Sequence, residues 1–274
     1  MNAQTVARPV VRVEELKRAW QAVQSGQFST TRGQQESKTT SAPDAAWDPA
    51  EAVLPVIGCI GGAGATTTAV AIAQQAGASR VLECCSATAS GLAAAAHEEL
   101  GRQGGWNVGR RERVTLQRPA GVLLGPAEVP LPLMSPGQKG LTVLDVGWEL
   151  GQVLSLPSWL GDQLLHAPTV VAVTAATVPG LRRLEGVLAL LESTHIVAAV
   201  IGPRRKRWAP GVAASMGRLT SDLDDARNLV EVPSDKTLAA HGVEPTPLPP
   251  ALLNAAGHLL RLTEAGTTMK GRHE

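Results

Sequence analysis

The chain has 274 residues, 44% hydrophobic and 3% aromatic, enough to bury the core of one large or two ordinary domains, filled chiefly by Ala, Val and Leu. Its formal charge of +1 excludes a general electrostatic pull on nucleic acid or anionic lipid, so any such binding needs a local patch. The three cysteines, two of them adjacent, argue against a disulfide framework and suit a reducing cytoplasm, while the lack of any run of about 18 apolar residues leaves neither a membrane span nor a signal-peptide core to be expected.

In residues 1–26, Val13, Leu16, Trp20 and Val23 recur at helical spacing before Gly26, which predicts an amphipathic N-terminal helix that either packs on its own domain or binds a protein partner. Residues 27–50 are rich in Ser, Thr, Gln, Gly and Pro, the composition of a flexible linker. Beyond residue 51 short apolar strands are expected at 53–59, 80–85, 122–124, 141–146, 169–174, 196–201 and 229–232. They alternate with helices at 66–75, 181–192, 210–216 and 250–263, the rhythm of an α/β fold with a doubly wound, mostly parallel sheet. The stretch 101–118, rich in Gly and Arg, reads as loop with a possible edge strand. Residues 267–274 read as a disordered tail.

The chemistry concentrates between the first strand and the first helix. Gly61, Gly62, Ala63, Gly64, Ala65, Thr66 and Thr67 form a glycine-rich turn opening a helix. In such a turn successive backbone N–H groups can face one anion, and the helix N-terminus adds partial positive charge. A tight turn that binds nothing has the same composition. The run Leu141–Leu144 ends in Asp145, a carboxylate at a strand end that suits either a metal ligand or a turn cap.

These residues resemble the ParA/MinD ATPases, whose phosphate loop has the form G-K-G-G-x-G-K-[ST]-[ST]. Gly61, Gly62, Gly64, Thr66 and Thr67 match it; Cys59, Ile60 and Ala65 do not. In the family, the lysine at the Ile60 position reaches across a dimer interface and the lysine at the Ala65 position pairs with the β and γ phosphates. Losing one such charge-assisted bond, worth about 1.5–3 kcal/mol, weakens nucleotide binding by roughly tenfold to a few hundredfold. The resemblance implies a P-loop NTPase-like three-layer sandwich over 51–266, with ATP on the loop and Mg on Thr66 and Asp145. It also implies a homodimer.

Other departures accompany the lost lysines. The family's Asp-x-Asp on the second strand is Glu83, Cys84, Cys85 here, and Gly202 stands where an adenine-contacting Asn is common. Pro233, Ser234 and Asp235 resemble the family's Pro-x-Asp segment near the base. Arg204, Arg205, Lys206 and Arg207 with Trp208 form one basic loop, a candidate for nonspecific DNA or a solvated loop paired with Asp222, Asp224 and Asp225. A second cluster, Arg110, Arg111 and Arg113, has the same two readings, and Arg110, Arg111, Arg182 or Arg183 is a candidate substitute for the missing lysine. His97, His166, His195, His241, His258 and His273 show no metal-site spacing. Two functions remain open: a nucleotide-responsive switch that positions DNA or a protein assembly with at most weak ATPase activity, and a pseudo-ATPase adaptor that binds no nucleotide. A small-molecule phosphotransferase is disfavoured by the missing lysine.

Overall fold

The computed structural model describes residues 46–133 and 140–270; the expected N-terminal helix, most of the expected linker and the last four residues lie outside them. The described strands are β1 (Ala52–Gly58), β2 (Ser79–Cys84), β3 (Glu98–Gln103), β4 (Trp106–Arg111), β5 (Val114–Pro119), β6 (Leu141–Val146), β7 (Thr169–Ala175), β8 (His195–Gly202) and β9 (Leu229–Pro233). They form one sheet in the order β3-β4-β5-β2-β6-β1-β7-β8-β9. All neighbours from β5 to β9 run parallel, whereas β4 is antiparallel to both of its partners.

Alternation along the strands sends side chains to two cores. On β1, Leu54 and Val56 join one core and Val53 and Ile57 the other. The first core is covered by α1 (Ala65–Ala76) and α8 (Pro250–Lys270), which pack on each other and on the central strands. The second lies under α2 (Leu150–Ser155), α3 (Trp159–His166) and α4 (Val178–Leu190), with α6 (Arg218–Asp225) against α4. α5 (Pro210–Ala213) and α7 (Lys236–His241) are short connectors. The chain is thus a three-layer α/β sandwich with a doubly wound, mostly parallel sheet, as the alternation of elements implies.

Several helix starts are written locally. Ser158 Oγ accepts the Gly161 N–H at 3.1 Å to cap α3, and Thr177 Oγ1 accepts the Gly180 N–H at 3.1 Å to cap α4. α6 is capped from outside: the Glu185 carboxylate on α4 accepts the Leu219 and Thr220 N–H groups at 2.8 and 2.9 Å. These bonds hold the pKa of Glu185 below the ordinary range although burial, the largest influence, pushes the other way.

Three sequence expectations need correction. Residues 122–124 are not a strand: Val122 and Leu124 are 71% and 83% exposed and only Leu123 is buried. Three apolar residues between Gly121 and Gly125, without a ladder partner, do not make one. The stretch 101–118 holds more than an edge strand. It contains the end of β3, all of β4 and most of β5, with Gly104 and Gly105 at φ of 50° and 88° as the two-residue hairpin turn. Finally, α8 continues to Lys270, into the stretch read as tail.

Trp47, inside the segment read as linker, is buried against Trp159, ring centroids 5.2 Å apart. Beside it Arg80 Nε donates to Thr142 Oγ1 at 2.8 Å, Thr142 Oγ1 donates to Glu51 at 2.8 Å, and Arg80 forms a buried ion pair with Glu51. This network fastens the start of β1 to β2 and β6.

Candidate functional site

The glycine-rich loop leaves the carboxyl end of the central strand β1, between β6 and β7, the place where an open parallel sheet leaves a crevice. Cys59 N–H donates to Val173 O at 2.8 Å, tying the loop to β7, and Ala63 N–H donates to Ile60 O at 3.2 Å, closing a turn. Gly62 and Gly64 adopt φ of 72° and 89°, which side chains resist, and α1 starts at Ala65. Thr68 folds back on the cap through its N–H and Oγ1, both 2.9 Å from Gly64 O. The N–H groups of Ala65, Thr66 and Thr67 precede the first intrahelical bond by position, which is the arrangement an anion cradle needs. Gly61 and Gly62 are its exposed rim.

What surrounds the cradle is apolar. Ile60, Ala65 and Ile201 pack against the α1-face core, and a Cβ placed on Gly64 would lie 2.9 Å from Ile201 Cδ1. The two positions where the resemblance puts lysines therefore hold packed hydrocarbon. Of the candidate replacements, Arg110 pairs with Glu98 at 2.5 Å. Arg111 is fully buried and donates to Ala95 O at 3.0 Å, Glu244 O at 2.6 Å and Thr246 O at 2.5 Å, burial holding its pKa below the usual value. Arg111 is thus an internal staple, not part of a basic surface. Arg182 and Arg183 are exposed on α4, which packs on the face opposite α1.

The acidic side of the site comes from adjacent strands. Asp145 on β6 lies opposite Glu83 on β2 in the ladder; both are buried, and both point to the α1 face because Val143 and Val81, two residues earlier, do so. Burial pushes the Asp145 carboxyl up to about 7, opposed by a hydrogen bond from the Thr66 hydroxyl and reinforced by the Glu83 charge. Thr66 and Asp145 are therefore brought together as the sequence implies. Their fit to a magnesium ion fails in this conformation. Thr66 gives its hydroxyl proton to Asp145, so only its oxygen lone pairs remain for a metal, and the backbone of Gly91 lies so close that a Cβ there would sit 3.0 Å from Thr66 Oγ1 and 2.9 Å from its Cγ2. An octahedral ion that keeps several waters needs that space.

Glu83 has a different task from the water- or metal-positioning role open to a carboxylate there. It accepts Ser90 Oγ–H at 3.0 Å, Gly91 N–H at 2.8 Å and Leu92 N–H at 2.9 Å, holding the β2–β3 connection. That connection was invisible in the sequence because Ser-Gly-Leu carries no motif. Cys84 faces the opposite core, and burial pushes the thiols of Cys84 and Cys85 above the ordinary range and that of Cys59 up to about 12, which leaves them inert. Among the described residues no group of three or more His, Cys, Asp or Glu side chains is placed to hold a metal.

Farther along, a Cβ on Gly202 would meet Ala176 Cβ at 2.7 Å, so the position offers no side chain to a base. Asp235 caps α7, accepting the Thr237 and Leu238 N–H groups at 2.9 Å. In the basic loop, Arg205 pairs with Asp224, its backbone N–H donates to Glu231 at 3.1 Å, and Trp208 is buried with Nε1–H donating to Pro203 O at 2.9 Å. Arg204, Lys206 and Arg207 are exposed. A cleft of about 670 Å³ opens at the opposite, amino-terminal ends of β1, β6 and β7. Its polar groups are already spent: Gln163 donates to Trp47 O, His166 bonds Asp162 O, and Glu51 holds Arg80 and Thr142. No described helix is long and apolar enough to cross a membrane.

No family model and no curated protein matches the chain. Solved structures similar to it include the MinC:MinD cell division protein complex of Aquifex aeolicus, at 17% identity over 77% of this chain and 96% of that one, with a TM-score of 0.49. Another is a plasmid partition protein of Borrelia burgdorferi bound to AMPPNP, at 9% identity, 78% and 99% coverage and a TM-score of 0.47. A third is the septum site-determining protein MinD of Pyrococcus horikoshii complexed with Mg-ADP, at 12% identity, 79% and 98% coverage and a TM-score of 0.46. The strand order and the loop on its central strand carry the fold assignment by themselves, a three-layer α/β sandwich.

Proposed function

We propose that the chain is a ParA/MinD-like nucleotide-binding switch. It takes the phosphates of ATP or ADP weakly on the backbone of Gly61, Gly62, Ala63, Gly64, Ala65, Thr66 and Thr67, hydrolyses them little or not at all, and helps to position DNA or a protein assembly. The observation that carries this reading is the left-handed pair Gly62 and Gly64 at the start of α1, on the central strand and above Asp145. Without a lysine, charge on the phosphates is met only by amide dipoles and the helix end, which supports binding far weaker than in the lysine-bearing pattern. Among the described residues the candidate cations are committed elsewhere, Arg110 to Glu98 and Arg111 to backbone carbonyls, which supports little compensation of the charge that develops in phosphoryl transfer. A face-to-face homodimer and contact of Arg204, Lys206 and Arg207 with nucleic-acid phosphates complete the proposal; Arg205 contributes to the loop's shape instead.

One observation favours the second reading, a pseudo-ATPase adaptor: Ile60, Ala65 and Ile201, partly buried, already pack against the core. Titration of fluorescent ATP and ADP separates the two. Micromolar binding that is abolished by Gly64→Val, whose side chain would strike Ile201, and strengthened by Ala65→Lys establishes the switch. No binding by the wild type at millimolar nucleotide leaves the adaptor.

A further inference from the structure

The connection between β2 and β3 crosses the α1 face and is fastened at two points. Near its start, the buried Glu83 carboxylate accepts one hydroxyl and two backbone N–H groups from Ser90, Gly91 and Leu92. Near its end, buried Arg111 holds Ala95 O at 3.0 Å while His97 N–H donates to Arg110 O at 2.8 Å. Leu92 and Ala95 are fully buried in the α1-face core. Residues 87–89, between β2 and the first fastening, are exposed. Gly91 is the point of contact with the phosphate loop, and the space between it and Thr66 admits no methyl group without a shift.

We propose that residues 86–97 form a strap which, anchored by Glu83 and Arg111, closes the Thr66–Asp145 position to a metal ion. Nucleotide then binds the closed form without magnesium, and magnesium-dependent binding requires the strap to lift. The inference rests on the nucleotide-binding reading and adds to it a closed state and the residues that maintain it. Glu83 is assigned as a positioning residue that acts on Thr66 through Gly91, in addition to the charge it places beside Asp145. Lifting the strap frees the Thr66 hydroxyl side that Gly91 covers, and the exposed 87–89 segment is the part a partner can grip without disturbing the core.

The test is titration of fluorescent ADP into the full chain in magnesium and, separately, in EDTA, for the wild type, Gly91→Ala and Glu83→Ala. Gly91→Ala puts a methyl group against Thr66 and pushes the strap outward; Glu83→Ala removes the anchor and leaves the contact surface unchanged. The expected result is wild-type affinity that differs less than about threefold between the two buffers, with magnesium strengthening binding at least tenfold in both variants. Amide hydrogen exchange in Glu83→Ala is expected to accelerate at Gly91 and Leu92 and stay slow in α1, which shows that the variant is folded. Wild-type binding strengthened tenfold or more by magnesium, with the variants no different, overturns the strap and leaves the nucleotide reading standing. Absence of nucleotide binding in the wild type and both folded variants overturns that reading and the strap with it.

Discussion

Strands β2 and β6 carry two buried acid sites, and the contrast between them explains much of the molecule. At their amino-terminal ends, Arg80 lies opposite Thr142 and both engage Glu51. There the hydrogen bonds and the Arg80 charge hold the Glu51 carboxyl below its usual range, against a desolvation that is the largest single influence. Three residues on, Glu83 lies opposite Asp145 on the other face, neither pairs with a cation among the described residues, and burial pushes Asp145 up to about 7. The first pair of positions is built for cohesion. The second keeps a costly charge next to the phosphate loop, which is how functional positions commonly differ from structural ones.

Opposite signs of effect sharpen this contrast. Arg80→Met leaves Glu51 buried without its cation and is expected to destabilise the chain by about 3–5 kcal/mol in urea denaturation; a loss under about 1 kcal/mol would show that the network adds little. Asp145→Asn is expected to stabilise it, by on the order of 2 to 4 kcal/mol at pH 8. The folded carboxyl binds its proton more tightly than the ordinary value of 3.8. Wild-type stability therefore falls as pH rises from about 4 to about 7, and the gap to the Asn variant opens across that window. A gap that does not change with pH would mean that Asp145 is not the strained group.

Smaller effects test the margins of the two ends. Arg111→Met removes the donors to three backbone carbonyls and is expected to cost about 2–3 kcal/mol, with proteolytic nicking appearing first near residue 95. His195 is half-buried between Thr169 Oγ1 at 3.3 Å and Asn228 Nδ2 at 3.1 Å. Burial holds its pKa below 6.5, so the stability it protects is complete above pH 6.5 and is lost as pH falls through the folded value. His195→Gln is expected to flatten that acid limb by under about 1 kcal/mol.

Much of this architecture could be read directly because its signals are local. β1, β6, β7 and β8 are apolar runs of strand length between turn residues, and Gly61 to Thr67 sits between a strand and a helix, where it must turn. The signals failed where meaning depends on distant partners. β3 is exposed along its whole length and shows no alternation, so only its pairing with β4 makes it a strand. Trp47 sits in linker-like composition yet is fixed by Trp159. Arg111 looked like one of three surface cations, but the carbonyls that bury it come from residues far along the chain. At the site, Thr66 and Asp145 were legible as a pair; the covering role of Gly91 and the anchoring role of Glu83 were not, because both arise from how one loop is laid across another.

The sheet order has a consequence for how the chain is assembled during synthesis. β2, β3, β4 and β5 follow one another in sequence and are neighbours in space, so this half-sheet can pair as soon as it is made. β1 is made earlier but must wait: its partners are β6 and β7, and it is completed only when both exist. Long-range pairing of this kind is slow and leaves edges exposed meanwhile. The strand that carries the phosphate loop is thus translated before the other described strands yet is enclosed only once β7 is made, and a chain cut short before β7 would display it with one edge bare.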